Sequence, residues 1–303
     1  MAKKSLFVKD FKQHWVLYLM FLPVLAYYLT FCYAPMYGVI VAFQRFNPAK
    51  GIFASTWVGL KNFMEFFRSF YFWRLTGNTL IISFLDLLFA FPANILFALL
   101  LNEIGTKWFK RSVQTITYLP YFVSVVVVAG LLLDFTQKDG IINDLIVLLG
   151  GKRENLMMKP ELFRTIYVAS NIWQGVGFGS IIYLAAISGV NSELYEAAVL
   201  DGAGRLRQTW HITLPGIMPT IIILLILRIG SLFSVGFEKI LLIYNQNTYS
   251  TGDVIATFIY RKGLQEANYG YSTAVGLFNS VISMFFLVSA NWLSRRFTDT
   301  SLW

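Results

Sequence analysis

EAAVLDGAGRLRQTWHITLP, residues 196–215, is a polar, glycine-punctuated stretch set between two long apolar runs, Thr165–Ser188 and Ile217–Val235. Just upstream, SELYEAAVL (192–200) reads as a short helix opened by Ser192 as N-cap, with Glu193 in its first turn facing the positive end of the helix dipole. Asp201 and Gly202 then supply a stop signal. The whole loop, about residues 190–215, reads as a docking element between two membrane segments, set against the plainer reading of a solvated turn.

Outward from that loop, composition places the chain in a membrane. Apolar residues are 56% of the 303 and charged residues 14%, with a mean hydropathy of +0.60, far beyond the core requirement of a soluble domain. Six runs reach the ~20 residues that cross a hydrocarbon core: 15–37, 75–101, 113–133, 165–188, 217–235 and 271–293. Backbone groups in lipid must be satisfied internally, so the fold class is all-α, with six transmembrane helices in a single domain over residues 1–303. Pro23, Pro92 and Pro120 are expected to kink or begin helices, and Gly175, Gly177 and Gly179 to let the fourth span pack closely.

Six spans put both termini on one side, and Lys3, Lys4, Lys9 and Lys12 make that side the cytoplasm; Arg295 and Arg296 agree. Inner segments carry 11 Lys and Arg and outer ones 13, but the inner ones are shorter, so density favours this orientation. The net charge of +9 is spread over loops and suits anionic lipid rather than nucleic acid. Two outer segments, Leu60–Trp73 and, more weakly, Asp253–Asn268, read as helices lying at headgroup level that can anchor the chain or receive an outer binding protein.

No energy source or catalytic set is encoded. The lone Cys32 excludes an internal disulfide, His14 and His211 lie far apart, and there is no metal cluster pattern. No Gly-x-x-x-x-Gly-Lys-Ser/Thr, Gly-x-Ser-x-Gly or His-Glu-x-x-His segment occurs, so the chain is not expected to be an enzyme.

The loop resembles the "EAA" signature of bacterial ABC importer permeases at Glu196, Ala197, Ala198, Gly202, Ile212, Leu214 and Pro215. The likeness extends to FLPVLAYYLTFCYAPMYGVIVAFQRFNPAKGI (21–52), WVGLKNF (57–63) and TAVGLFNSVISMFFLVSANWLSRR (273–296), which look like the carbohydrate branch of the maltose-type family, handling oligosaccharides and polysaccharide fragments. That resemblance implies a MetI-like bundle in the bacterial inner membrane. It also implies a second permease, two ATPase subunits that hold ATP and Mg, and an extracytoplasmic sugar-binding protein; this chain itself holds no cofactor. Glu196, Ala197, Ala198, Asp201, Gly202, Leu214 and Pro215 are then the ATPase-coupling residues, with Glu196 meeting a basic residue of the ATPase. Ser192 departs from the Pro that many relatives carry there, without loss of a helix-starting residue.

Polar groups inside the spans are costly and carry functional expectations. Asp86 and Arg228 are expected to pair, or else each to face the translocation cavity. Asn78, Asn94, Asn171, Trp173, Gln174 and Asn279 are candidates for a sugar path, against the rival reading of interhelical hydrogen bonding. An ion-coupled secondary transporter is the alternative function; Asp86 alone offers it an acidic relay, and no internal repeat is visible.

Overall fold

The computed structural model describes residues 2–298 and 300–302. The side chains of Lys3, Lys4 and Lys9, and the residue Trp303, lie outside what is described. Four helical stretches are long and apolar enough to cross a bilayer unaided: Asp10–Phe43, Tyr71–Glu103, Arg205–Gly230 and Tyr269–Arg296. Two helix pairs bent at a break, Lys107–Phe122 with Val125–Leu148 (99°) and Pro160–Ser188 with Ser192–Leu200 (73°), bring the number of candidate crossings to six if each pair counts as one. At about 1.5 Å per residue the long helices overshoot a ~30 Å hydrocarbon core, so their ends reach the polar zones.

Three spans differ from their sequence expectation. The run 113–133 is not one helix: Lys107–Tyr118 ends in a 3₁₀ turn, Leu119–Phe122, and Val125–Thr136 starts anew. Pro120 cannot donate to the helical ladder, and the Ser124 hydroxyl accepts from Val127 N at 3.4 Å to cap the next helix. The fifth helix ends at Gly230 rather than at residue 235; a turn leads into a short helix, Phe237–Ile243. The first helix kinks at His14 (φ −122°, ψ 23°), not at Pro23, and continues past residue 37 through a π turn (Tyr28–Tyr33) and a 3₁₀ stretch (Ala34–Phe43).

The second and fourth spans, Tyr71–Glu103 and Pro160–Ser188, form the packed axis of the molecule. Small residues let the fourth span approach the second at Gly179 and the first half of the third at Gly177. A Cβ on Gly177 would strike the Thr117 carbonyl, and one on Gly179 would come within 2.7 Å of the Asn94 amide, whereas Gly175 faces open space. One buried cluster gathers Ile82, Phe163, Ile240 and Val254, a second Phe66, Leu75, Phe233 and Phe258, and a third Ala98, Tyr183, Ile187 and Ile217. The first span buries none of its most apolar window, a state tolerable in lipid because hydrocarbon tails are as apolar as the side chains.

The two outer segments differ: Lys61–Arg68 is amphipathic, with Met64 and Phe67 exposed and Phe66 turned inward, whereas Asp253–Asn268 is largely embedded. Leu60–Trp73 splits into a helix, Lys61–Arg68, and the start of the second span at Tyr71; Phe66 is buried. Asp253–Asn268 is not an exposed surface helix, because Asp253, Val254, Ile255 and Phe258 are all buried against neighbouring elements. Asp253 anchors the segment through Arg74 (3.1 Å) and Arg261 (2.8 Å). A two-residue antiparallel ribbon, Gln44–Arg45 with Thr56–Trp57, closes the outer end of the first span.

Candidate functional site

Two features stand apart from the packed bundle: an exposed elbow at one end and a polar cavity within it. The elbow is the Ser192–Leu200 helix. Its N-cap is Asn191, not Ser192, since the Asn191 Oδ1 accepts from Glu193 N at 3.0 Å. At the other end Gly202 N donates to the Val199 carbonyl (3.0 Å) and Ala203 N to the Ala198 carbonyl (2.8 Å), the two bonds of a Schellman stop. That stop requires a left-handed residue after Asp201, and Gly202 sits at φ +75°.

Tyr195 ties this helix to the stretch behind it, and further bonds brace the loop that follows. Tyr195 and Thr213 share a hydroxyl hydrogen bond of 2.9 Å, Gln208 Nε2 donates to the Ala203 carbonyl (2.8 Å), and Arg205 meets Glu103 at 3.4 Å. Leu214 and Pro215 begin the Leu214–Gly230 helix directly behind. Glu196, Ala197, Asp201 and Gly202 are exposed and Ala198 partly so. Around them Leu194, Val199, Leu200 and Leu206 are 52%, 62%, 87% and 88% exposed. Apolar side chains at a polar membrane end, on a rigid and well-capped support, have the character of a protein-docking surface.

The cavity lies where the fifth helix breaks. Its larger lobe has a volume of about 570 Å³ and the adjoining one about 400 Å³; Asp86, Asn171, Gln174 and Arg228 line both. Asp86 and Arg228 form an ion pair and both line the cavity. The carboxylate side chain is 5% exposed, the guanidinium side chain 48%. Asn171 Nδ2 donates to Asp86 Oδ1 at 2.9 Å, and Gln174 Nε2 reaches the Val123 carbonyl at 3.4 Å, at the break between the two halves of the third span. Asn94 lines the smaller lobe beside Tyr121, whose ring stacks on Phe178 at 4.0 Å.

Three of the six polar candidates are not brought to the cavity. Asn78 is buried toward the outer end, donating to the carbonyls of Ser250 and Asp253 and accepting from Arg164, so its capacity is spent on holding the outer segment. Trp173 is 48% exposed and lines neither lobe. Asn279 also lines neither, and its buried Oδ1 has no partner among the described residues. Conversely, Lys239 on the short Phe237–Ile243 helix lines the larger lobe, and nothing in the sequence reading pointed to it. The signal was present: a Lys beside a Glu in FEKILLI, whose remaining residues are all apolar.

Residues 76–299 match the family described as "Binding-protein-dependent transport system inner membrane component". The chain belongs to that family. Among its relatives, the permease is 46% identical over 287 residues to protein LplB of Bacillus subtilis, covering 94% of this chain and 90% of that one. It is 44% identical over 302 residues to the polygalacturonan/rhamnogalacturonan transport system permease YteP of the same organism, covering 99% and 94%. In structure the permease resembles a chain of a bacterial alginate ABC transporter solved with an alginate pentasaccharide-bound periplasmic protein. The TM-score is 0.90 at 45% identity, over 97% of this chain and 99% of that one. The permease is therefore a multi-pass inner-membrane transport subunit, and its fold is that of an ABC importer permease.

Proposed function

We propose that the permease is one of two transmembrane halves of an ATP-driven importer that takes up oligosaccharides from an extracytoplasmic binding protein. The observation that carries this reading is the elbow of residues 191–204: rigidly capped at both ends, tied by Tyr195 to the stretch behind it, and presenting exposed apolar side chains around Glu196. Two ATPase subunits bind ATP and Mg, and one of them receives the elbow in a cleft. Glu196 forms an ionic contact there, Ala197 and Ala198 admit close approach, and Gly202 with Asp201 fixes the turn. Leu214 and Pro215 pass the displacement into the fifth span. The Tyr195–Thr213 bond is a second route for it.

The transported sugar travels along the cavity. Asn94, Asn171 and Gln174 supply donors and acceptors for hydroxyls, and Tyr121 an aromatic face. Asn78, Trp173 and Asn279 lie outside this path. ATP-driven closure of the ATPases changes the affinity of this cavity between its outward and inward states, and that difference moves the sugar. Relatives named for polygalacturonan/rhamnogalacturonan and alginate transport make uronate-bearing chains the first to try. An ion-coupled mechanism is disfavoured, because Asp86, its one candidate relay, is held by Arg228 and Asn171.

The test is ATP hydrolysis by the complete complex, assembled with its companion permease, ATPases and binding protein. Oligosaccharide-loaded binding protein should stimulate hydrolysis, and Gly202→Asp should abolish the stimulation while the permease still inserts. Wild-type stimulation in Gly202→Asp contradicts the coupling role.

A further inference from the structure

Lys239 is a buried cation without a carboxylate partner. Only 6% of the residue is exposed, yet it lines the larger lobe of the cavity. Its Nζ donates to Asn171 Oδ1 at 2.8 Å and to Ser170 Oγ at 3.4 Å, and stands 6.0 Å from the centre of the Tyr167 ring. All three neighbours are neutral. An ammonium has three N–H donors, and the described residues accept two of them.

The nearby charges leave this one uncompensated. Asp86 gives one oxygen to Arg228 and the other to the Asn171 amide, so Asn171 stands between Asp86 and the lysine. Glu238 also borders the lobe, but it is exposed and makes no ion pair among the described residues. A lysine is almost never fully buried unless paired, and burying it here carries a desolvation cost that its neutral partners offset only in part. An anion entering the lobe removes that cost. Lys239, held in place by Asn171, is built to receive one.

We propose that Lys239 is the residue that reads the carboxylate of an acidic sugar in the cavity, giving the permease its preference for uronate-bearing oligosaccharides over neutral ones. This rests on the oligosaccharide-import reading. Asn171 fixes the lysine when the lobe is empty, and the sugar carboxylate takes the third donor when it is filled.

The experiment measures uptake by the complete complex in proteoliposomes, with an oligogalacturonide and its carboxyl-reduced, neutral counterpart, at matched loading of the binding protein. Lys239→Gln should lower the acidic-to-neutral uptake ratio about tenfold, which is ~1.4 kcal/mol of discrimination, and Lys239→Arg should keep most of the wild-type ratio. Should Lys239→Gln fail to assemble, Lys239→Met, which removes the charge at similar length and leaves Asn171 and Asp86 untouched, should give the same selective fall. A ratio unchanged in the variant that assembles overturns the inference while leaving oligosaccharide import standing. Uptake of neither sugar by the wild type removes the import reading and this inference together.

Discussion

Arg228 and Asp86, 142 positions apart in the chain, close an ion pair on the wall of the central cavity. The pair joins the second span to the fifth just before the fifth helix breaks at Gly230. Its placement ties two spans together on the cavity wall. The carboxylate is buried and the guanidinium half-open, so breaking the pair leaves an uncompensated charge chiefly on the arginine, which can turn to the cavity. Asp86→Asn is expected to cost about 1–3 kcal/mol, less than a fully buried pair because Arg228 keeps solvent access. The thermal midpoint of the purified complex reads this loss. Asp86→Leu with Arg228→Met should recover the midpoint but not uptake.

Gly202 is expected to tolerate no side chain. Its left-handed backbone costs an L-residue about 1–2 kcal/mol, and the two Schellman bonds at Ala198 and Val199 depend on it. Gly202→Val should leave the permease inserted and lower its co-purification with the ATPase several-fold, read by affinity capture at equal expression.

Asp253 is the buried node of the outer end, holding Arg74 and Arg261 together. Asp253→Asn should release about 3 kcal/mol of local stability, since it leaves two arginines without their anion. Protease cleavage between residues 249 and 265 in outward-open vesicles should accelerate, with the elbow at 191–204 unaffected.

Gly177 sits where the fourth span crosses the first half of the third, against the Thr117 carbonyl. Gly177→Leu should cost about 1–3 kcal/mol through overpacking, seen as a lower thermal midpoint; Gly175→Ala, in open space, should not shift it.

Much of this was legible in the sequence because it is locally determined. Long apolar runs mark spans, since lipid leaves the backbone no choice but helix, and Asp201-Gly202 writes the end of the elbow in two residues. The N-cap was misplaced by one because Asn191 and Ser192 are both good caps, and only the backbone selects between them. Pro120 marks a kink or helix start at Leu119–Ser124, but the size of the bend is not legible because apolar residues continue on both sides of it, and hydropathy does not register direction. Asn78 and Asn171 are the same residue type in similar apolar surroundings. What separates them is tertiary: one meets the carbonyls of Ser250 and Asp253, the other Asp86 and Lys239. Lys239 went unseen because the end of the fifth helix was drawn too late, which turned a cavity-lining helix into loop.

The central claim is that the elbow at 191–204 carries the work of ATP hydrolysis, done elsewhere, into this bundle. Its most direct measurement is uptake of labelled oligosaccharide into proteoliposomes containing both permeases, with and without the ATPase subunits and ATP. The account predicts uptake only when the ATPases and ATP are present, and its loss when Glu196 and Gly202 are replaced together. Uptake without the ATPases, or undiminished uptake by the double variant, would contradict it.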